Sequence, residues 1–209
     1  MDAQQTPQQM PPQMPPLLQH NTLIIRQSRT FLRDDFFIFD PNGRKVATIA
    51  ESGSELKKLF GLTRRFHVAG VEGDGRVGTP IFEVSDPYNI IGDSYTIFDC
   101  PGGEQLATVR RGLIPLRARL TLSIEGFDDI EIDGGIMAFD FRLTSGGREI
   151  ARIDKKWNGL AKEFFGKQTY VLHLAPELGR QQRIGIIGAV LAIDLVKSKM
   201  RDFGASIFD

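Results

Sequence analysis

The stretch Arg183-Ile184-Gly185-Ile186-Ile187-Gly188-Ala189-Val190-Leu191-Ala192-Ile193-Asp194-Leu195-Val196-Lys197 decides how the rest of the chain is read. Nothing between Ile184 and Ile193 is polar, so the segment has no solvent face before Asp194. A helix that is apolar on every side lies inside a protein or inside a membrane. Ten such residues rise about 15 Å as a helix, half of a hydrocarbon core that takes about 20 residues to span. The expectation is a helix enclosed by protein. Lys197 and Lys199 then close its last turn, where cations complement the helix dipole. Asp194 stands a turn earlier and opposes that dipole, which calls for a compensating donor from Lys197 or a strand arginine. Gly185 and Gly188 weaken the helix but let neighbouring groups come close to its backbone.

Upstream of this helix the chain reads as short strands and turns from Thr22 onward, and it repeats itself. Phe37-Ile-Phe-Asp40-Pro-Asn-Gly43-Arg-Lys-Val-Ala47-Thr-Ile49 recurs as Thr96-Ile-Phe-Asp99-Cys-Pro-Gly-Gly103-Glu-Gln-Leu-Ala107-Thr-Val109. A looser copy runs Phe139-Asp-Phe-Arg-Leu-Thr-Ser-Gly-Gly147-Arg-Glu-Ile-Ala151-Arg-Ile153. Each copy is a strand, a glycine-containing turn and a second strand, which is a β-hairpin. Antiparallel hairpins with one apolar face must close on a core or leave edges exposed. The helix supplies that core, so the expected fold is mainly β, a closed antiparallel barrel threaded by its C-terminal helix.

Composition allows one domain: 209 residues, 41% hydrophobic, are enough for a single sizeable core. Residues 1–20 are set apart by proline and glutamine and read as a disordered tail, leaving 21–209 for the barrel domain. Within the tail, Pro12-Gln-Met-Pro15 matches the PxxP pattern that SH3 and WW domains dock, although a solubilising tail has the same composition. Lys plus Arg, 26, equals Asp plus Glu, 26, so no nucleic acid is expected as a partner, since that needs a basic footprint. Cys100 is the one cysteine, which excludes an internal disulfide or a thiolate metal cluster. With no secretory leader apparent, a cytoplasmic location is expected, or one on the cytosolic face of a membrane.

The hairpin pattern (Y/F)xIFDxxGxxxAx(I/V), together with Ala151-Arg-Ile-Asp-Lys-Lys-Trp157 and the terminal Ile187-Gly-Ala-Val-Leu-Ala-Ile-Asp194, resembles the LURP-one-related and phospholipid scramblase group. The resemblance covers about residues 22–200. It implies the tubby C-terminal-like fold, about twelve strands around a buried hydrophobic helix. It also brings in two activities, lipid scrambling and the binding of phosphoinositides by basic residues on the barrel surface. Two family features do not carry over. Scramblases respond to calcium through an acidic segment before the terminal helix, and here Leu174-Ala-Pro-Glu-Leu-Gly-Arg-Gln-Gln-Arg183 holds one carboxylate. The cysteine cluster that lipid-anchors some scramblases is missing, because Cys100 stands alone.

Several motifs read as ordinary structure. Gly73-Asp-Gly75-Arg-Val-Gly78 spells GxGxxG but leads through Pro80 into another strand pattern, not a helix, and is read as a hairpin loop. Asp129, Glu131, Asp133 and Asp140 sit near calcium-loop spacing, yet Ile130 and Ile132 alternate with the acids as in a strand. They are kept as a weak calcium candidate. His20, His67 and His173 show no ligand spacing, and no nucleophile elbow or paired catalytic carboxylate is present. Trp157 reads as a core or barrel-end aromatic. An enzyme is not expected, nor a cofactor.

Basic pairs are the remaining signal: Lys57-Lys58, Arg64-Arg65, Arg110-Arg111 and Lys155-Lys156. The stretch Arg110-Arg111-Gly112-Leu113-Ile114-Pro115-Leu116-Arg117-Ala118-Arg119 is read as strand, turn, strand, with Leu113 and Ile114 at the tip and Arg110, Arg111, Arg117 and Arg119 around it. Apolar residues ringed by arginines suit an anionic membrane interface; a tip folded over the barrel end is the competing reading. The leading expectation is a non-enzymatic barrel that binds anionic phospholipid headgroups or a protein partner. A scramblase-like protein and an interaction scaffold with no lipid role stand beside it.

Overall fold

The computed structural model describes residues 14–30, 33–52, 63–86, 94–112, 120–135, 140–155 and 169–205. Twelve strands run in sequence order: β1 (Thr22–Thr30), β2 (Arg33–Phe39), β3 (Lys45–Ser52), β4 (Arg64–Val71), β5 (Val77–Asp86) and β6 (Ser94–Asp99), then β7 (Gln105–Arg111), β8 (Leu120–Ile124), β9 (Ile130–Gly135), β10 (Asp140–Ser145), β11 (Arg148–Asp154) and β12 (Thr169–Leu174). Each pairs with its sequence neighbour, and β1 pairs with β12 to close the barrel. Closure satisfies every strand edge, which an open sheet would leave to solvent. A one-turn helix α1 (Pro16–Gln19) precedes the barrel, and α2 (Arg180–Ala205) threads it.

The three repeated motifs are hairpins, as expected: β2–β3, β6–β7 and β10–β11. In the first two, the aspartate that ends the motif's first strand closes the turn: Asp40 N–H donates to Arg44 O, and Asp99 N–H to Glu104 O. Gly43 and Gly103 hold φ of 80° and 70° in these turns, a region that favours glycine. The Gly73–Gly78 stretch is the β4–β5 connection, so the hairpin reading stands for it too.

α2 is the barrel's core. Ile184, Ile186, Ile187, Ala189, Val190, Ala192 and Ile193 are all fully buried. Inward positions alternate along the strands around it, for example Leu120, Leu122 and Ile124 on β8. Both helix glycines are places of close approach. A Cβ on Gly185 would come to 2.7 Å from Ile124 Cδ1, and one on Gly188 to 2.5 Å from Ile97 Cδ1 and 2.8 Å from its Cγ1.

Three sequence expectations shift. The helix does not close at Lys197 and Lys199; it continues to Ala205 with no basic residue in its last turn. Asp194 is not where the helix meets water: it is 4% exposed, and burial continues through Val196. The packed chain also begins before residue 21, because α1 buries Leu17 and Leu18 completely. Apolar burial outweighs the proline-rich context there.

Candidate functional site

The two ends of the barrel are built differently. At one end, here the base, the strands are joined by short described connections: 40–44, 72–76, 100–104, 125–129 and 146–147, with 175–179 leading into α2. At the other end, the rim, the connections between strands pass through residues outside those described.

Arginine closes the base. Arg183, 5% exposed, donates to the carbonyls of Leu178, His20 and Pro176 and to Asn21 Oδ1 at 2.9, 3.0, 3.2 and 2.7 Å. It thereby ties the start of α2 to the chain entering β1 and to the β12–α2 link. Burial pulls its guanidinium pKa down from the ordinary value. Arg180 makes a two-pronged pair with Asp99, both bonds 2.8 Å. Asp40, fully buried, accepts from the backbone N–H of Asn42 and Arg44 at 2.9 Å. The repeated aspartate thus does two jobs, one in turn closure and one in seating the helix.

The helix runs from this base toward the rim. Arg180 meets Asp99 at the end of β6, Gly188 lies on Ile97 in the middle of β6, and Asp194 acts on Tyr170 near the start of β12. The Tyr170 hydroxyl is pushed well above its ordinary pKa of 10.0, first by burial and then by the Asp194 charge. The influence of Asp194 on Tyr170 is one that sequence reading had not found.

Near the rim the inward positions turn polar. Gln27 follows Leu23 and Ile25, Asp86 follows Phe82 and Val84, and Tyr95 precedes Ile97, each at the parity of those core residues. The same parity carries Glu51 after Ile49 and Arg64 before Phe66. Arg64 donates to both Glu51 oxygens at 2.9 and 3.1 Å, and its guanidinium lies 4.9 Å from the Phe66 ring centre. Asp194 sits where the barrel interior has changed from apolar to mixed charge. That setting suits a carboxylate in an otherwise apolar helix.

All the described members of the basic pairs are rim residues. Arg64 and Arg65 begin β4, Arg110 and Arg111 end β7, and Lys155 follows β11. Carboxylates match the first pair: Glu51 holds Arg64, and Glu83 accepts from Arg65 at 2.9 Å while also lying 3.0 Å from His67. Arg110 is exposed and Arg111 half-buried. Leu113, Ile114, Arg117 and Arg119, with Lys57, Lys58, Lys156 and Trp157, lie outside the described residues.

The acids of the weak calcium candidate are spread along the barrel wall from base to rim. Asp129 is in the β8–β9 turn at the base, whereas Asp140 opens β10 at the rim opposite Gly135. Glu131 and Asp133 lie exposed along β9 between them. An extended strand at about 3.3 Å per residue spreads acids that a calcium loop would wrap round one ion. Among the described residues, no group of three or more His, Cys, Asp or Glu side chains could hold a metal. The histidines lie apart, each facing an acid: His20 Asp40, His67 Glu83 and His173 Asp154.

Comparison with known proteins addresses the family. No curated protein matches the chain in sequence. A solved structure, the X-ray structure of the Arabidopsis thaliana protein AT5G01750, is similar at 16% identity, covering 84% of this chain and 91% of that one with a TM-score of 0.49. The sequence profile of the LURP-one-related family matches residues 21–194, from the start of the barrel to the carboxylate that ends the apolar run. That match takes in β1 to β12 and most of the buried part of α2, and the chain belongs to the LURP-one-related family.

Proposed function

We propose that this barrel is a non-enzymatic peripheral membrane protein, and that its rim binds anionic phospholipid headgroups. The observation that carries the reading is topological: antiparallel pairing delivers basic residues far apart in sequence, Arg64-Arg65, Arg110-Arg111 and Lys155, to one end of the barrel. Clustered cations near an anionic bilayer are worth about 1 kcal/mol each. Arg110 is exposed at the end of β7, so it takes the leading role, with Arg111 beside it and the Leu113-Ile114 connection that follows. No helix among the described residues is long and apolar enough to cross a membrane, and the reading needs none.

Co-sedimentation tests it. The protein is expected to pellet with vesicles of phosphatidylserine and phosphatidylcholine, to release as salt rises, and to stay in solution with phosphatidylcholine alone. Reversal of Arg110, Arg111, Arg117 and Arg119 to Glu should abolish pelleting. Leu113→Ser with Ile114→Ser should weaken it without lowering the melting temperature. If the charge-reversed protein still pellets, the rim is not the lipid site. Equal binding to neutral vesicles would point to the scramblase-like reading, and no binding to either would leave a protein-interaction scaffold.

A further inference from the structure

On the outer wall of the barrel, close to the rim, one carboxylate serves two basic side chains. Glu83 on β5 is 7% exposed. Its Oε1 accepts from Arg65 Nη1 at 2.9 Å, and its Oε2 lies 3.0 Å from His67 Nε2. The strands dictate this grouping. Arg65 and His67 are two apart on β4 and share a face, and register sets His67 directly opposite Glu83, with Arg65 opposite Ser85. That face is the outward one, because Phe66 and Val68 hold the alternating positions in the core. The Arg65 and His67 side chains are 57% and 35% exposed, so the buried carboxylate lies beneath two solvent-reaching groups.

What can vary in this cluster is the imidazole. Histidine is the side chain that changes charge between pH 5 and 8, whereas arginine stays charged throughout. With His67 neutral, the three side chains carry one positive and one negative charge. With His67 protonated they carry two positive charges and one negative, and the carboxylate that holds Arg65 is shared with a second full cation. His67 and Arg65 are about 7 Å apart along the strand, within a Debye length at physiological salt. The added charge therefore reaches the rim, where Arg64 and Arg65 begin β4. Among the described residues, the charged or titratable groups around His67 are Arg65 on its own strand, Glu83 on β5 and Cys100 on β6. Ala50 is its neighbour on β3, and Phe98 is the β6 residue opposite Glu83. The Cys100 thiol is pushed above its ordinary pKa by burial, then by the Glu83 and Asp99 charges, so it adds no charge at or below neutral pH.

We infer that His67, through the carboxylate it shares with Arg65, makes the rim pH-responsive, so that anionic phospholipid is bound more tightly in mildly acidic solution than at neutral pH. The inference rests on the rim reading above and adds its regulation. Protonation of His67 acts in two ways at once: it puts a positive charge on the wall below the rim, and it draws Glu83 away from Arg65. His67 is a positioning residue in this scheme and needs no contact of its own with lipid.

The test uses the full chain and vesicles of phosphatidylserine and phosphatidylcholine, at about pH 7.5 and about pH 5.5 and one ionic strength. Wild type is expected to bind about fivefold more tightly at the lower pH, the worth of one added cation at an anionic surface. His67→Gln, which keeps an amide donor for Glu83, should match wild type at the higher pH and lose that gain at the lower one. His67→Arg carries the charge permanently, so at the higher pH it should bind as wild type does at the lower, with no further rise. If one variant fails to fold, the other decides, because each alone removes the His67 contribution to the pH response. Equal wild-type affinity at the two pH values, or a full gain kept by His67→Gln or His67→Arg, would overturn this inference while leaving the rim reading intact. A wild type that binds at neither pH removes both.

Discussion

The base and the rim close the same twelve strands in opposite ways. At the base, connections are short, glycine takes the positive-φ positions, and Arg183 satisfies three backbone carbonyls and the Asn21 amide oxygen at once. At the rim, the inward positions turn polar at Gln27, Asp86 and Tyr95, and the helical backbone continues beyond the buried stretch to Ala205. The contrast bears first on stability. An end whose polar groups bond to one another supports the fold, while an end that carries exposed basic residues such as Arg110 is where a surface can be altered without unfolding the barrel.

Substitutions at the two ends should differ most at the arginines. Arg183→Met keeps the aliphatic stem but removes every donor, so its acceptors in the closed base lose their partner. Denaturant unfolding should register a loss of about 3 kcal/mol. Arg110→Ala, on the exposed rim, should change stability by no more than about 0.5 kcal/mol. Equal losses would mean that the rim is as structural as the base.

The helix glycines probe the middle of the barrel. Gly188→Ala forces both Cδ1 and Cγ1 of Ile97 to give way and should cost about 1–2 kcal/mol. Gly185→Ala displaces chiefly the flexible end of Ile124. There the gain in helix propensity, about 1 kcal/mol, should offset most of the strain. A larger loss at position 185 would place the tightest contact nearer the base than the geometry has it.

Less effect is expected from Asp99→Asn. The Arg180–Asp99 pair is two-pronged, but the two side chains are 39% and 30% exposed. Solvent screening reduces its contribution to about 1 kcal/mol or less. The loss should shrink further in high salt.

The smallest effect concerns pH. Burial and the Arg152 charge lower the His173 pKa from its ordinary 6.5, with Asp154 opposing. The unfolded chain therefore takes up this proton first, so stability should fall as pH drops below about 6.5. Comparing the pH profiles of wild type and His173→Gln isolates the contribution. A wild type that grows more stable on acidification relative to the variant would reverse the sign.

Local features were legible in the sequence and pairings were not. The all-apolar run from Ile184 to Ile193 identified the core helix because burial on all sides is written in the residues themselves. The repeated Asp–Gly turns identified hairpins because turn chemistry is local, and the twelve-stranded count came with the family resemblance. Glu51 and Glu83 could not be assigned to Arg64 and Arg65, because those pairs span strands and depend on register. The alternation of Ile130 and Ile132 with acids gave β9 as a strand from sequence, because period-two burial is local. Leu17 and Leu18 were read into the tail since a one-turn helix leaves no periodic signal. The end of α2 was placed at its lysines, although helix ends with a C-terminal cation need not stop there. For the proposed lipid site, the basic pairs were visible one by one, and their gathering at one rim became visible only with the topology.

On the proposed function, the rim and not the base faces the membrane. Hydrogen–deuterium exchange of the intact chain with and without phosphatidylserine-containing vesicles reads both ends in one experiment. Slowed exchange is expected at residues 110–112 and at Lys155, with the base turns at 72–76 and 146–147 unchanged. Slowing at the base turns with none at the rim would contradict it.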